Sequence, residues 1–158
     1  MMVSLRSFKK NDLLSLQMWA DEIDAHKYMS RVLPHKSDQY FNPQKSLLAW
    51  YVIQIDHKDV GTVWLEKADM DDEIAILGIL IGKNNFLGKG IGEQAINIAI
   101  EKSCDVISFK SVRANVRVSN TRAIHCYMNC GFLKISQGLK VVDGIAAIPF
   151  MTLELKRK

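Results

Sequence analysis

The feature that most constrains this chain is a β-branched apolar run, Ile74 to Ile81, followed by the bend Phe86-Leu87-Gly88-Lys89-Gly90-Ile91-Gly92-Glu93 and a long helical pattern. A strand, a glycine-rich bend and a helix start together make an anion site. Gly88, Gly90 and Gly92 let the backbone come close to a ligand. The first N–H groups of the helix, those of Ile91, Gly92 and Glu93, have no internal partners and point at whatever binds there. Lys89 adds a positive charge. The ligand implied carries phosphate.

Three phosphate-binding patterns compete for this segment. A nucleotide-triphosphate loop needs a hydroxyl residue after its Gly-Lys pair, whereas Gly90 follows Gly88-Lys89 here. A dinucleotide fingerprint fits Gly90-x-Gly92-x-x-Ala95 literally, but it should follow its strand tightly and meet an acid about 20 residues later. The sequence there is Phe109-Lys110-Ser111, with no acid. The third pattern is a pyrophosphate loop between a strand and a helix, joined by a short loop and a glycine-rich bend, and all its parts are present.

The second half of the chain favours the third pattern. Val112-Arg113-Ala114-Asn115-Val116 reads as a strand, followed by Ser119-Asn120 and a helical stretch that closes on Gly131-Phe132. Ser119 or Asn120 suits a helix N-cap, and Gly131 suits the first residue past the C-cap. Asn120 and Tyr127 lie seven positions apart. At about 100° per residue that is almost two turns, so both side chains share one helix face. An amide and a phenol on one face can line a single ligand; a cap and a packing tyrosine are the plainer reading.

With these residues in place, the chain resembles the GNAT family of N-acetyltransferases. The bend resembles the family's motif Gln/Arg-x-x-Gly-x-Gly/Ala, with Gly90 and Gly92 in its last two positions and Leu87 where Gln or Arg is usual. Asn120 to Phe132 resembles the second motif, with asparagine, tyrosine and Gly-Phe in register. The resemblance covers essentially the whole chain. Within the family, Trp19 and Tyr28-Met29-Ser30 look most like the ribosomal-protein and aminoglycoside acetyltransferase branch. It implies one acyl-CoA N-acyltransferase domain over residues 1–158 and acetyl-CoA as cofactor. The implied fold is α+β: a mixed, mostly antiparallel sheet of about seven strands flanked by helices. The fourth and fifth strands would run parallel and splay apart, and pantetheine would enter the splay.

Acetyl transfer to an amine makes chemical demands that the residues can be tested against. Backbone N–H groups at Ile79, Leu80 and Ile81, freed by the splay, would hold the thioester carbonyl. The bend Leu87 to Glu93 would hold the pyrophosphate, and Asn120 the pantetheine or phosphate arm. Tyr127 is the proton donor expected for the leaving sulfur, since a phenol is protonated at neutral pH. For the base, some family members place a glutamate at the position that Ala75 occupies here. Glu73 lies on the same strand face, one pleat further out; action through a water and a plain solvated strand start both stay open. His26 and His57 are weaker candidates.

The acceptor implied is a primary amine, on a small molecule or a protein N-terminus. Asp21, Glu22 and Asp24 form one acidic cluster and Asp69, Asp71, Asp72 and Glu73 another; acidic walls attract ammonium groups, and solvated turns would look the same. Trp19, Tyr28 and Trp64 can shape a pocket or pack a core. A non-catalytic acyl-CoA sensor of the same fold is the rival function, and a homodimer is compatible with the resemblance.

Bulk properties agree. At 158 residues, 48% hydrophobic and 24% charged, the chain is an ordinary globular domain. A net charge of +4 suits a polyanionic cofactor and forms no basic stripe for nucleic acid. No apolar run approaches the roughly 18 residues of a membrane span, and the start has no secretory pattern. Cys104, Cys126 and Cys130 form no disulfide framework, and the four histidines do not complete a metal site with them. The expected setting is cytoplasmic, without metal.

Alternation places further elements. Val3 to Phe8, Trp50 to Ile55, Val60 to Glu66, Lys134 to Val142 and Ala147 to Leu155 read as strands. Asn11-Asp12 can cap a helix to Trp19 or Ala20. A second short helix is expected from about Asp21 to Ser30, and Lys45 to Ala49 as the end of another.

Overall fold

The computed structural model describes residues 2–40, 47–82, 90–142, 144 and 146–157. Leu87, Gly88 and Lys89 lie outside the described residues.

Strands form where the sequence alternates and where it runs apolar and β-branched. They are β1 (Val3–Ser7), β2 (Leu48–Ile55), β3 (Lys58–Glu66), β4 (Ile74–Ile81), β5 (Ser111–Arg117), β6 (Leu133–Val142) and β7 (Ala146–Lys156). Helices are α1 (Asp12–Glu22), the four-residue α2 (Ser37–Tyr40), α3 (Ile91–Ser103) and α4 (Thr121–Asn129), with a 3-10 turn at Ala25–Lys27. The strands make one seven-stranded sheet in the order β1-β2-β3-β4-β5-β7-β6. Every neighbouring pair is antiparallel except β4 and β5. The expected α+β sheet of about seven strands is the observed one.

The side-chain period of two assigns the central strands to two cores. Tyr51, Ile53 and Ile55 of β2, with Val63 and Leu65 of β3, face Ile91, Ala95, Ile96 and Ala99 of α3. Trp50 and Val52, with Trp64, face Leu16, Trp19 and Ala20 of α1. Thr62 shows how a polar group caught between these layers is satisfied. Thr62, fully buried, accepts from Trp50 Nε1 at 2.8 Å and donates to the Tyr51 carbonyl at 2.7 Å. The β2–β3 turn places Asp56 and His57 at φ 49° and 70°, the two positive values a tight hairpin turn demands.

Two local expectations are corrected. The stretch from Asp21 to Ser30 holds the end of α1 and only the turn Ala25–Lys27, because Asp24 takes a left-handed conformation (φ 51°) that breaks the helix. Ala49 belongs to β2 rather than to a helix end; Lys45 and Ser46 lie outside the described residues. Asn11 occupies the N-cap position of α1 without a side-chain cap bond. The Asp12 carboxylate instead accepts from Lys9 N–H at 2.7 Å and pairs with Arg6 at 2.8 Å. Among the described residues no helix is long and apolar enough to cross a membrane.

Candidate active site

The parallel ladder between β4 and β5 is short. It pairs Ile74, Ala75 and Ile76 with Ser111, Val112 and Arg113 and then stops, although β4 runs on to Ile81 and β5 to Arg117. The sheet is therefore open between the ends of these strands. Gly82 N–H donates to Val60 O on β3 at 2.8 Å. Main-chain groups alternate sides along a strand, so Leu80 and Gly78 also turn theirs to β3, and Ile79 and Ile81 turn theirs to the opening. The side chain of Leu80 is buried with Trp50 and Trp64, away from the opening.

A cavity of about 650 Å³ occupies this opening on the α3–α4 side. Ile79 and Ile81 line it, together with Gly90, Gly92 and Glu93 at the start of α3 and Asn120 and Tyr127 on α4. Gly90 caps α3 at φ 76°, and a Cβ built on it would meet nothing within 4 Å among the described residues. No described residue thus fills the place where a side chain would project. The first helical bond is Gln94 N–H to Gly90 O at 3.2 Å, which leaves the preceding amides without helical partners. Ile91 sends its side chain into the core, 1% exposed. The Glu93 carboxylate accepts from Asn129 Nδ2 at 2.9 Å and ties α3 to α4.

Helix α4 carries both motif side chains on one face, as their spacing requires. Asn120 is the N-cap, its Oδ1 accepting from Ala123 N–H at 3.3 Å. The cap uses the oxygen and does not engage the Nδ2 donors, and Asn120 lines the cavity, so the plain and the functional readings of Asn120 are compatible. Tyr127 is 5% exposed. It lines the cavity, and its hydroxyl makes no hydrogen bond among the described residues. Burial pushes the phenol above its usual value, with Cys126 and Cys130 adding to the rise. The proton stays on at neutral pH.

A second cavity, of about 550 Å³, lies beyond the same opening. Tyr28, Met29, Ile79, Asn120, Ala123 and Tyr127 line both cavities. The two spaces thus meet at the end of the β4–β5 ladder, with the tyrosine at their junction. Trp64 lies across Gly78, where a Cβ would come within 2.2 Å of the indole. Trp64 Nε1 donates to Glu66 Oε2 at 3.1 Å. Glu66 is 5% exposed and also accepts from His35 N–H at 3.0 Å and Lys36 N–H at 2.9 Å.

Other expected residues lie elsewhere. Glu73 precedes β4, is largely exposed and pairs with Lys110 at 3.0 Å. Six residues of strand, roughly 20 Å, separate it from Ile79, and it lines neither cavity. Asp21, Glu22 and Asp24 line neither cavity, nor do Asp69, Asp71 and Asp72. Trp19 is core, whereas Tyr28 and Trp64 do face the second cavity. Arg122, Arg117 and Glu66 line the cavities unforeseen. For Glu66 a signal existed: it sits two residues after Trp64 and so shares the face of a buried indole.

Comparison with known proteins agrees with this architecture. The family model described as an acetyltransferase (GNAT) domain matches residues 3–133. No curated protein sequence matches the chain significantly. Spermidine N-acetyltransferase from Vibrio cholerae, solved with CoA and spermine, superposes with a TM-score of 0.77 at 18% identity over 98% of this chain and 95% of that one. Aminoglycoside acetyltransferase AAC(6')-Ib with coenzyme A gives 0.75 at 19% identity over 99% and 95%. The same enzyme with coenzyme A and kanamycin gives 0.74 at 20% identity over 99% and 95%. The chain belongs to the GNAT family and is an acetyl-CoA-dependent N-acetyltransferase.

Proposed function

We propose that the two cavities are the cofactor and acceptor sides of one acetyl-transfer site, and that Tyr127 stands at the point of reaction. The single observation that carries this reading is the place of Tyr127, a buried tyrosine of α4 that lines both spaces. The cofactor side fits a pantetheine pyrophosphate: unpaired amides at a helix start, a left-handed Gly90 with open space before it, and Arg122 in the wall. Gly90, Ile91, Gly92 and Glu93 would present backbone to the phosphates, and the Asn120 amide would donate to the arm that follows. Leu87, Gly88 and Lys89 belong to the same proposed bend.

Acetyl-CoA supplies an activated acetyl thioester. The chain's own groups do the rest. The N–H of Ile79, turned to the opening, donates to the carbonyl oxygen as it gains negative charge. The acceptor nitrogen attacks from the second cavity, forming the C–N bond as the C–S bond breaks. Tyr127 gives its proton to the departing sulfur and is reprotonated as the new amide loses its extra proton. Leu80 has no part in this, since its main chain is engaged with β3. Glu73 remains a base only through a long chain of waters; Glu66 is the carboxylate that lines the acceptor side.

The acceptor is a primary amine, on a small molecule or a peptide N-terminus. Small molecules are supported by the spermine and kanamycin in the solved relatives. A single domain over residues 1–158 in a cytoplasmic setting is part of the reading, supported by three free cysteines. A homodimer is supported by the apolar, exposed Leu133, Leu139 and Val141 on edge strand β6; light scattering that returns a monomer removes it. The function itself is tested by free-thiol release from acetyl-CoA over a panel of amines. Release that depends on an amine is expected. Tight binding without release would leave only a sensor.

A further inference from the structure

The acceptor cavity is basic, and among the described residues no acidic cluster reaches it. Arg31 follows the 3-10 turn, Arg117 ends β5 and Lys140 lies on β6, so three separate segments bring cations to one space. Among the described residues none of the three is in an ion pair. Arg117 is held in place: Nε donates to Ser30 Oγ at 3.2 Å and Nη1 to the His26 carbonyl at 3.1 Å. Among the described residues its remaining guanidinium nitrogen has no partner. Glu66 is the one carboxylate in the lining among the described residues. Three N–H groups occupy it, out of about four sites that a carboxylate offers.

We infer that the acceptor amine carries an oxyanion, a carboxylate or a phosphonate, held by Arg117 with Arg31 and Lys140, while Glu66 faces its ammonium end. This rests on the second cavity being the acceptor side. A guanidinium fixed through two of its nitrogens loses little freedom when it binds an oxyanion, and such charge-assisted bonds are among the strong ones. A polycation would instead meet three unpaired positive charges. The surroundings of His35 agree. Burial lowers its affinity for a proton, and Arg31, Lys140 and Lys36 lower it further, against the single opposing pull of Glu66.

The test is kcat/KM for matched acceptors in the thiol-release assay: amino acids, their decarboxylated amines, the corresponding aminophosphonates, and spermine. The anionic members should exceed their decarboxylated partners by about tenfold or more, and raised salt should narrow the gap. Which oxyanion is taken follows from the carboxylate and phosphonate arms. The preference should shrink in Lys140→Gln and Arg31→Gln, both at exposed positions, and in Arg117→Gln, with partial return in Arg117→Lys. Equal or better use of decarboxylated amines or spermine overturns the inference and leaves the enzyme intact, as does a preference unchanged in every variant. Thiol release with none of the acceptors, while coenzyme A still raises the melting temperature, overturns the proposed function and this inference with it.

Discussion

The Phe132 N–H donates to the Tyr127 carbonyl at 3.1 Å, and the rings of the two residues stand 5.5 Å apart. With Gly131 N–H donating to the Met128 carbonyl at 3.0 Å and Gly131 at φ 97°, this is a complete Schellman closure of α4. The closing Gly-Phe thus has a physical role. It fixes the last turn of the helix, and with it the ring that reaches the junction of the cavities.

Tyr127→Phe should keep this clasp, since main chain and ring are both retained. Its hydroxyl has no hydrogen-bond partner among the described residues, so thermal stability should change little. Turnover should fall by roughly ten- to a thousandfold, while coenzyme A affinity holds. Because burial raises the phenol, the parent enzyme should show no falling limb from this group below about pH 10. Steady-state kinetics beside isothermal titration checks both parts; full turnover in the variant would remove Tyr127 from the chemistry.

Coenzyme A should raise the melting temperature well above the effect of NAD or ATP at equal concentration. A ligand that binds only the folded state stabilises it by about 2.7 kcal/mol at a hundredfold excess over its dissociation constant. Differential scanning fluorimetry reads this directly. A larger shift with NAD would restore the dinucleotide reading of Gly90-x-Gly92-x-x-Ala95.

Gly90→Val should lose coenzyme A binding by at least about a hundredfold and stability by about 1–3 kcal/mol. The two losses have separate causes. A β-branched residue at φ 76° is strained, and its side chain would stand in the space before the first amides of α3. Titration calorimetry on the folded variant separates them; parental affinity would mean that the pyrophosphate is held elsewhere.

Much of this was legible because the signals are periodic or local. Alternation located the strands, and Gly90, Asn120 and Gly131 marked helix ends by conformations that few residues adopt. Glu66 was legible only as a neighbour of Trp64 on one strand face, not as a site residue. A lone acid at a strand end reads as solvated, and its burial comes from His35 and Lys36, some thirty positions away. For Glu73 the face on the strand was readable, but its distance from the opening depends on where the β4–β5 ladder stops. Asp24 broke an expected helix through a backbone angle that composition does not reveal.

Stability should depend on acid pH through Asp12. Its hydrogen bond with Arg6, aided by the Lys9 amide, holds the carboxyl below its usual range against the opposing effect of burial. A depressed folded value means that the contribution is fully present above the unfolded pKa of about 3.9 and is lost as pH falls through the folded value. Asp12→Asn should therefore cost about 1–2 kcal/mol at neutral pH and show a shallower loss below about pH 4. Urea denaturation across pH checks the slope; parallel curves for parent and variant would contradict it.

The most direct test of acetyl transfer at this site is to incubate the protein with carbonyl-labelled acetyl-CoA and an amine that releases thiol, and to locate the label by mass spectrometry. The label should appear in amide linkage on the acceptor nitrogen, in proportion to thiol released, and at a rate cut by Tyr127→Phe and by Gly90→Val. Coenzyme A bound at the splay with no label on any amine, or label transferred equally fast by both variants, would contradict it.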